Sequence, residues 1–363
     1  MTRLLIILTL IISASAFAQN DTTKNPLVLG LHGHGGILFK HSSALGDLKK
    51  SYPWGLTMDI AWHLTGIKAY QYCSCYPKVG VSINYFNFDN PTVLGNAYYA
   101  IAFVEPVFFL PRKFNLSFRL GLVGVAFHDR PFDADSNPTN VAYSTYTAFP
   151  LMLGLGFNYR VTPQWSIKLA ANYNHISNGG IKNPNKGLNF PTASLGIDYM
   201  LMYSQMDARG RMRRPPPEKK NKMVLETGNG LKNSRSDDPD QYWVFNLNLT
   251  YSRWFHRSSA VAAGFAWEMD NARRMEIVRW QGGSVDHNRL SFFVGHEFWL
   301  GKVRFGQYIG AYVYDQYKVN DPVYHRHSLT FNITKYLYAG VSLKAHRQVA
   351  DVLDLRIGTN LDW

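Results

Sequence analysis

Hydrophobic and polar side chains alternate from Trp165 to Ser177. Trp165, Ile167, Leu169, Ala171 and Tyr173 hold one parity, and Ser166, Lys168, Ala170, Asn172 and Asn174 the other. A period of two is the signature of a strand with one apolar face. His175 and Ser177 continue the apolar parity, not the polar one. The same alternation recurs along the first half in Leu27–Phe39, in Leu56, Met58, Ile60, Trp62 and Leu64, in Val79–Phe88, Ala97–Phe109 and Phe114–Phe127, in Leu151–Tyr159, and in Ala193–Tyr199. After residue 222 a second set follows: Met223–Thr227 (the weakest alternation), Trp243–Trp254, Ala260–Met269, Leu290–Leu300, Val303–Tyr314, Ser328–Ile333, Leu337–His346 and Val352–Trp363. Short turns at residues 111–113 and 161–164 interleave with long ones at 128–140 and 178–189. Outer-membrane barrels have short periplasmic turns and long outer loops, which places the His175 and Ser177 end of its strand at the outer leaflet.

This pattern predicts an all-β, antiparallel transmembrane β-barrel. Two architectures fit it: two tandem eight-stranded barrels, or one barrel of sixteen strands. Residues 204–222 carry Arg209, Arg211, Arg213, Arg214, three prolines from Pro215 to Pro217, and Lys219, Lys220 and Lys222, without periodicity. They read as a basic, proline-rich periplasmic linker and favour two barrels, because a continuous sheet would take a short turn there. The N-terminus predicts a secretory signal over residues 1–18: Arg3, an apolar run from Leu4 to Ile12, and Ala16-Phe17-Ala18, with the mature chain starting at Gln19. The expected organisation is then a first barrel over 19–203, the linker over 204–222, and a second barrel-like half over 223–363.

Composition agrees with a barrel but does not by itself select one. The 363-residue chain is 15% aromatic with 29 glycines and a mean hydropathy of −0.20, which a secreted soluble β protein could share. The closing strand decides. Leu353, Leu355, Ile357, Thr359, Leu361 and Trp363 form one apolar face ending on an aromatic, like the terminal strand of bacterial outer-membrane barrels. No other segment holds the roughly 20 apolar residues of a membrane helix. The net charge of +13 implies no nucleic acid for an exported chain. It fits basic groups that meet lipid phosphates, or basic residues scattered over loops.

Candidate chemistry is sparse. Cys73 and Cys75 are the two cysteines; two residues apart, they are poorly placed for an unstrained disulfide and read as a loop pair. His32 and His34, with His41 nearby, invite a metal reading but share the inward parity of their strand, where polar lumen filling is the ordinary explanation. Asp59 and His63, also inward, suit a buried hydrogen-bond network. His175 and Ser177, on a face turned to lipid, pair a nucleophile with a base.

The run His175-x-Ser177-Asn178-Gly179, followed by Pro184-Asn185-x-Gly187 and a last strand, resembles the lipid A 3-O-deacylase family, small outer-membrane β-barrel esterases. The motif likeness covers His175 to about Tyr199 and extends plausibly over residues 20–203. It implies a serine hydrolase that removes an ester-linked acyl chain from lipid A without metal or other cofactor. Lipopolysaccharide would be its substrate and outer-membrane lipids its surroundings. It further implies Ser177 as nucleophile, His175 as base, and Asn178, Gly179 and Gly180 near the oxyanion. The family has a glutamate twelve residues after the serine, where this chain has Asn189. Asn189 shares the parity of Ala193 and Leu195, hence the face of His175. An asparagine carbonyl can orient an imidazole but cannot offset imidazolium charge. Asp198, of opposite parity, is a poor substitute.

The halves also parallel each other. Leu155–Tyr159 and the strand to His175 match Leu329–Ile333 and the strand to His346, with Arg347-Gln348 and no serine following. A degenerate duplication would leave the second half without a nucleophile, and open to binding, homodimer formation or anchoring. The alternative function is a non-enzymatic barrel, either a pore or a structural interaction protein.

Overall fold

A computed structural model describes residues 25–40, 45–46, 51–110, 112–202, 217–234, 238, 240–282, 285–318, 321–347 and 349–363. The signal-like segment, His41, Gln348 and linker residues 204–216 lie outside these. The first barrel is built from β1 (Leu27–Gly36), β2 (Trp54–His63), β3 (Lys78–Asn87), β4 (Asn96–Glu105), the two-residue β5 (Val107–Phe108), β6 (Phe114–His128), β7 (Thr147–Arg160), β8 (Trp165–Ser177) and β9 (Leu188–Met200). Each long strand pairs antiparallel with the next long strand, and β5 pairs with β6. β4 pairs with β6, and β9 pairs back on β1, so eight long strands close the ring. The second barrel is closed by β10 (Asn221–Asn233), β11 (Gln241–His256), β12 (Ser259–Asp270), β13 (Asn288–Leu300), β14 (Val303–Asp315), β15 (Val323–Asn332), β16 (Leu337–His346) and β17 (Val349–Asp362). Of the two architectures the sequence left open, two separate barrels is the one observed.

The outer walls are apolar. In β8, Trp165, Ile167, Leu169 and Tyr173 are exposed, while Lys168, Ala170, Asn172 and Asn174 are buried inside. Closure matters because a hydrocarbon surrounding leaves no water to satisfy an open sheet edge. β10 runs from Asn221 to Asn233, well past Met223–Thr227. Thr227 and Asn229 stand at its outward positions between Leu225 and Leu231 and hide the alternation from the sequence. Lys222, which the sequence assigned to the linker, is a buried strand residue 3.3 Å from Asp362 and lies over the Trp299 ring.

Two helices had no sequence signal. Short α1 (Ile67–Cys73) lies in the connection between β2 and β3. Its C-cap Ser74 is left-handed (φ 55°) and turns the chain sharply. Cys73 and Cys75 thereby come within a Cα–Cα distance of 5.1 Å and form a disulfide, contrary to the loop-pair reading. α2 (Asn271–Gln281) lies between β12 and β13; its N-cap Asp270 accepts from Arg273 N at 3.2 Å. Arg279 of α2 reaches Asp238 at 2.7 Å.

Both lumens are crossed by bonded side chains. In the lower half of the first, Arg119 reaches Glu105 (2.7 Å) and Asp59 (3.0 Å), Lys168 reaches Glu105 (2.6 Å), and Lys78 binds Asp198. His32 Nε2 lies 3.1 Å from Asp198 and 3.5 Å from Asp59. These three groups sit close enough to share an ion. Each carboxylate, however, already holds a cation, so three cations face three carboxylates. His34 does not join them; it bonds Thr57 and Thr192. His63 bonds Tyr76 O at 3.0 Å. The upper half is apolar: Phe86, Phe88, Phe190, Tyr99, Ile176 and Leu188 are buried together, with Phe190 edge-on to Phe86 at 5.0 Å. The second lumen holds ion pairs over most of its length. Lys232 lies between Asp270 (2.6 Å) and Asp351 (2.7 Å), Lys344 is 2.8 Å from Asp351, and Arg356 is 2.7 Å from both Glu226 and Asp354.

The turns that precede the seventh strand of each barrel are hydrogen-bonded alike. Val161 N and Thr162 N both donate to Trp165 O, and Thr162 Oγ1 accepts from Trp165 N at 2.9 Å. Ile333 N and Thr334 N both donate to Leu337 O, and Thr334 Oγ1 accepts from Leu337 N at 2.9 Å. From these matched starts the histidines diverge. His175 is ten residues beyond Trp165 and stays on the outer face; His346 is nine beyond Leu337 and turns inward, 3.0 Å from Tyr312 OH. A one-residue offset exchanges the two faces of a strand.

Two outcomes follow from the filled lumens. Arg119→Ala strands Asp59 and Glu105 in the interior and is expected to destabilise the first barrel by about 3–5 kcal/mol, read as a lowered urea midpoint in detergent. The intact protein in planar bilayers is expected to carry no steady ion current.

Candidate active site on the outer wall of the first barrel

The strand end that carries the candidate residues is held from behind. Ile176, fully buried, enters the apolar plug together with Leu188 of β9. Its neighbours His175 and Ser177 are therefore directed to the outer face, each half-buried. Antiparallel register sets His175 directly opposite Asn189, and Ser177 opposite Phe149. Directly opposed residues have Cβ atoms about 5 Å apart, close enough for short side chains to meet. His175 Nδ1 and Asn189 Oδ1 are 2.5 Å apart. Because an amide oxygen only accepts, Nδ1 carries the proton and Nε2 keeps its lone pair. Asn189 is 7% exposed, so solvent competes little for this bond. Asp198, in contrast, points into the lumen against Lys78 and His32.

Gly187 faces both candidate groups. It has φ +71°, and a methyl group placed on it would lie 3.2 Å from His175 Nε2 and 3.4 Å from Ser177 Cβ. Any side chain there would occupy the space the two share. A glycine keeps that space open and accepts the left-handed backbone at little cost.

The loop after Ser177 is sewn in place by Asn178, which is fully buried. Its amide nitrogen donates to Lys182 O (2.6 Å) and Ser144 Oγ (3.2 Å), its Oδ1 accepts from Gly180 N (3.1 Å), and its backbone N–H donates to Asn185 Oδ1 (3.0 Å). The side chain that the sequence placed near the oxyanion is thus a loop clamp. Of Asn178, Gly179 and Gly180, the backbone N–H that meets no acceptor among the described residues is that of Gly179. Ser144 had no role in the sequence reading, and Asn185 entered it only as part of the Pro184-Asn185-x-Gly187 run. They belong to polar loop runs that carry no periodic signal, and only the folded loop shows what they hold.

A second outer loop supports the first. Gly187 N donates to Ala142 O (2.8 Å), Lys186 N to Val141 O (3.0 Å), and Ser144 Oγ to Lys182 O (2.9 Å). Next to these, Tyr143 stacks on His128 at 3.8 Å and donates to Leu94 O at 2.6 Å. Burial pushes the Tyr143 phenol above its usual range, keeping it a neutral donor. Lys182 and Lys186 are exposed on the loop that carries the site. The arrangement can supply a hydroxyl, an oriented imidazole, a backbone donor and a cationic rim, all on a surface open to the lipid side.

Comparison with known proteins bears on this site. Residues 53–198 match the family model described as lipid A 3-O-deacylase (PagL), and residues 221–363 match that of the acyloxyacyl hydrolase C-terminal domain. No curated protein matches the chain. Among solved structures, the outer membrane enzyme PagL aligns at 15% identity over 47% of this chain and 99% of that one, with a TM-score of 0.34. Neisserial surface protein A aligns at 13% identity over 50% and 100%, also at 0.34. Acinetobacter baumannii OccAB3 aligns at 8% identity over 93% and 98%, at 0.25. Taken together, the two family matches account for both barrels: the first belongs to the lipid A 3-O-deacylase family, and the second is an acyloxyacyl hydrolase C-terminal domain.

Proposed function

We propose that the chain is an outer-membrane serine esterase that removes an ester-linked acyl chain from lipid A. The observation that carries this reading is the His175 Nδ1 to Asn189 Oδ1 bond, which leaves His175 Nε2 basic beside Ser177 on the lipid-facing wall. Membership of the deacylase family supplies the substrate class.

In this mechanism His175 Nε2 takes the Ser177 hydroxyl proton as Oγ attacks the ester carbonyl. The negative charge that develops on the carbonyl oxygen meets the Gly179 N–H; such donors contribute a few kcal/mol to lowering the barrier. The tetrahedral species collapses, the sugar oxygen leaves, and it receives the proton from His175. Water, deprotonated by the same imidazole, then frees the fatty acid from Ser177. No group beyond the chain and water enters the balance. The exposed Lys182 and Lys186 suit a phosphorylated lipid headgroup lying beside the site. Asn189 holds the ring in the productive tautomer but leaves the imidazolium uncompensated.

Purified protein folded in detergent and given lipid A is expected to release fatty acid, followed by mass spectrometry. Ser177→Ala and His175→Ala should each reduce release by at least about a thousandfold. Release that persists in Ser177→Ala overturns the mechanism. Asn189→Glu adds a carboxylate against the imidazolium and is expected to raise kcat, whereas Asn189→Ala should lower it with little change in KM.

A further inference from the structure

The loop that carries the site touches the second barrel. A methyl group on Gly179 would lie 3.2 Å from Leu353 Cβ, and also 3.3 Å from Phe149 Cδ2. One on Gly180 would lie 3.3 Å from Asp351 O and 3.4 Å from Ala350 O. Gln241 Nε2, at the start of β11, donates to Ile181 O at 3.2 Å. The contact is therefore made by the turn directly after Ser177 against the long-loop end of β17. On the β17 side it is stiffened from within, since Asp351 is bound to Lys232 and Lys344 in the second lumen.

Away from this contact the two walls stay open. Leu353 is partly covered, but Leu355 is 68% exposed and Ile357 50%. On β8, Leu169 is 54% exposed and Tyr173 39%. Two apolar walls thus run towards the membrane interior from one junction, and His175 and Ser177 lie at that junction. A lipid that presents its ester to Ser177 has its acyl tail directed the same way. Apolar walls favour the tail, at about 25 cal/mol for each Å² of apolar surface covered.

Resting on the esterase reading above, we propose that the second barrel is part of the substrate site. Leu353 and the Ala350–Asp351 backbone hold the Gly179–Gly180 turn, and the outer face of β17 below it, at Leu355 and Ile357, forms the far wall of a cleft for the scissile acyl chain. β8 forms the near wall. The chemistry resides in one barrel and the recognition of chain length in both.

The full-length protein in detergent tests this with two substrates, lipid A carrying a long acyl chain and a water-soluble short-chain nitrophenyl ester. Leu355→Trp fills the cleft and is expected to lower the ratio of long-chain to short-chain kcat/KM at least tenfold. Ile309→Trp, on the outer face of β14 and 62% exposed in the parent, should keep that ratio within twofold. Equal ratios in the two variants would overturn the cleft. Inactivity of the parent on both substrates would instead overturn the esterase reading. The contact has its own check: an Ile181→Cys, Gln241→Cys pair treated with a short bis-maleimide should yield a cross-linked peptide joining the two barrels, and its absence would refute the junction.

Discussion

Everything in this molecule follows from the demand that backbone N–H and C=O groups be satisfied where water is absent. Within a membrane a sheet meets that demand only by closing on itself, and each half of the chain does so with eight long strands. Closure then imposes a binary choice on every strand position: a side chain faces either lumen or lipid. In the first barrel the lumen positions are committed to a charge-balanced cluster below and an aromatic plug above. Among the described residues these groups cross the lumen from wall to wall. The candidate residues are mounted outside, at the rim of the wall, where β8 ends.

The plug and the site are consequently two sides of one construction. Ile176 and Leu188, drawn inward with Phe190, fix the alternate residues His175, Ser177 and Asn189 outward. The long loops above add rigidity by hydrogen bonding among themselves, through Asn178 and Ser144. The one disulfide is at the opposite end, where α1 turns back into β3. The second barrel fills its lumen differently, with arginine and lysine networks along most of its length.

Much of this was legible in the alternation alone. The bounds of β8 read from the sequence coincide with those observed, because thirteen residues alternate without interruption. Asn189 was placed by parity, since β9 continues the pattern of Ala193 and Leu195. Parity also put Asp198 on the lumen face, where it is found. Where polar residues take the outward positions, as Thr227 and Asn229 do in β10, the signal fails, and the strand is longer than it reads. α2 escaped because its apolar residues do not gather on one face. The cysteines misled because cross-linking at a spacing of two needs a left-handed residue between them, and Ser74 is not a residue that announces one. The duty of Asn178 was hidden as well. A polar residue beside a nucleophile reads as an oxyanion donor until its partners in the loop are known. The touch of Leu353 on Gly179 joins residues 174 positions apart, and no local pattern encodes it.

The matched turns before the seventh strands give the parity rule a further meaning. Trp165 and Leu337 start equivalent strands, yet one histidine lies ten residues on and the other nine. Shifting a whole strand by one residue would turn its apolar wall inward; here β8 and β16 each keep an outward apolar parity, and the difference is confined to the histidine's place in the pattern. It nevertheless decides whether the group looks at the bilayer or at the lumen. Two strands that begin from the same turn thus present the same kind of side chain to opposite surroundings, one to the outer wall and one to the lumen, through nothing more than its count from the start of the strand.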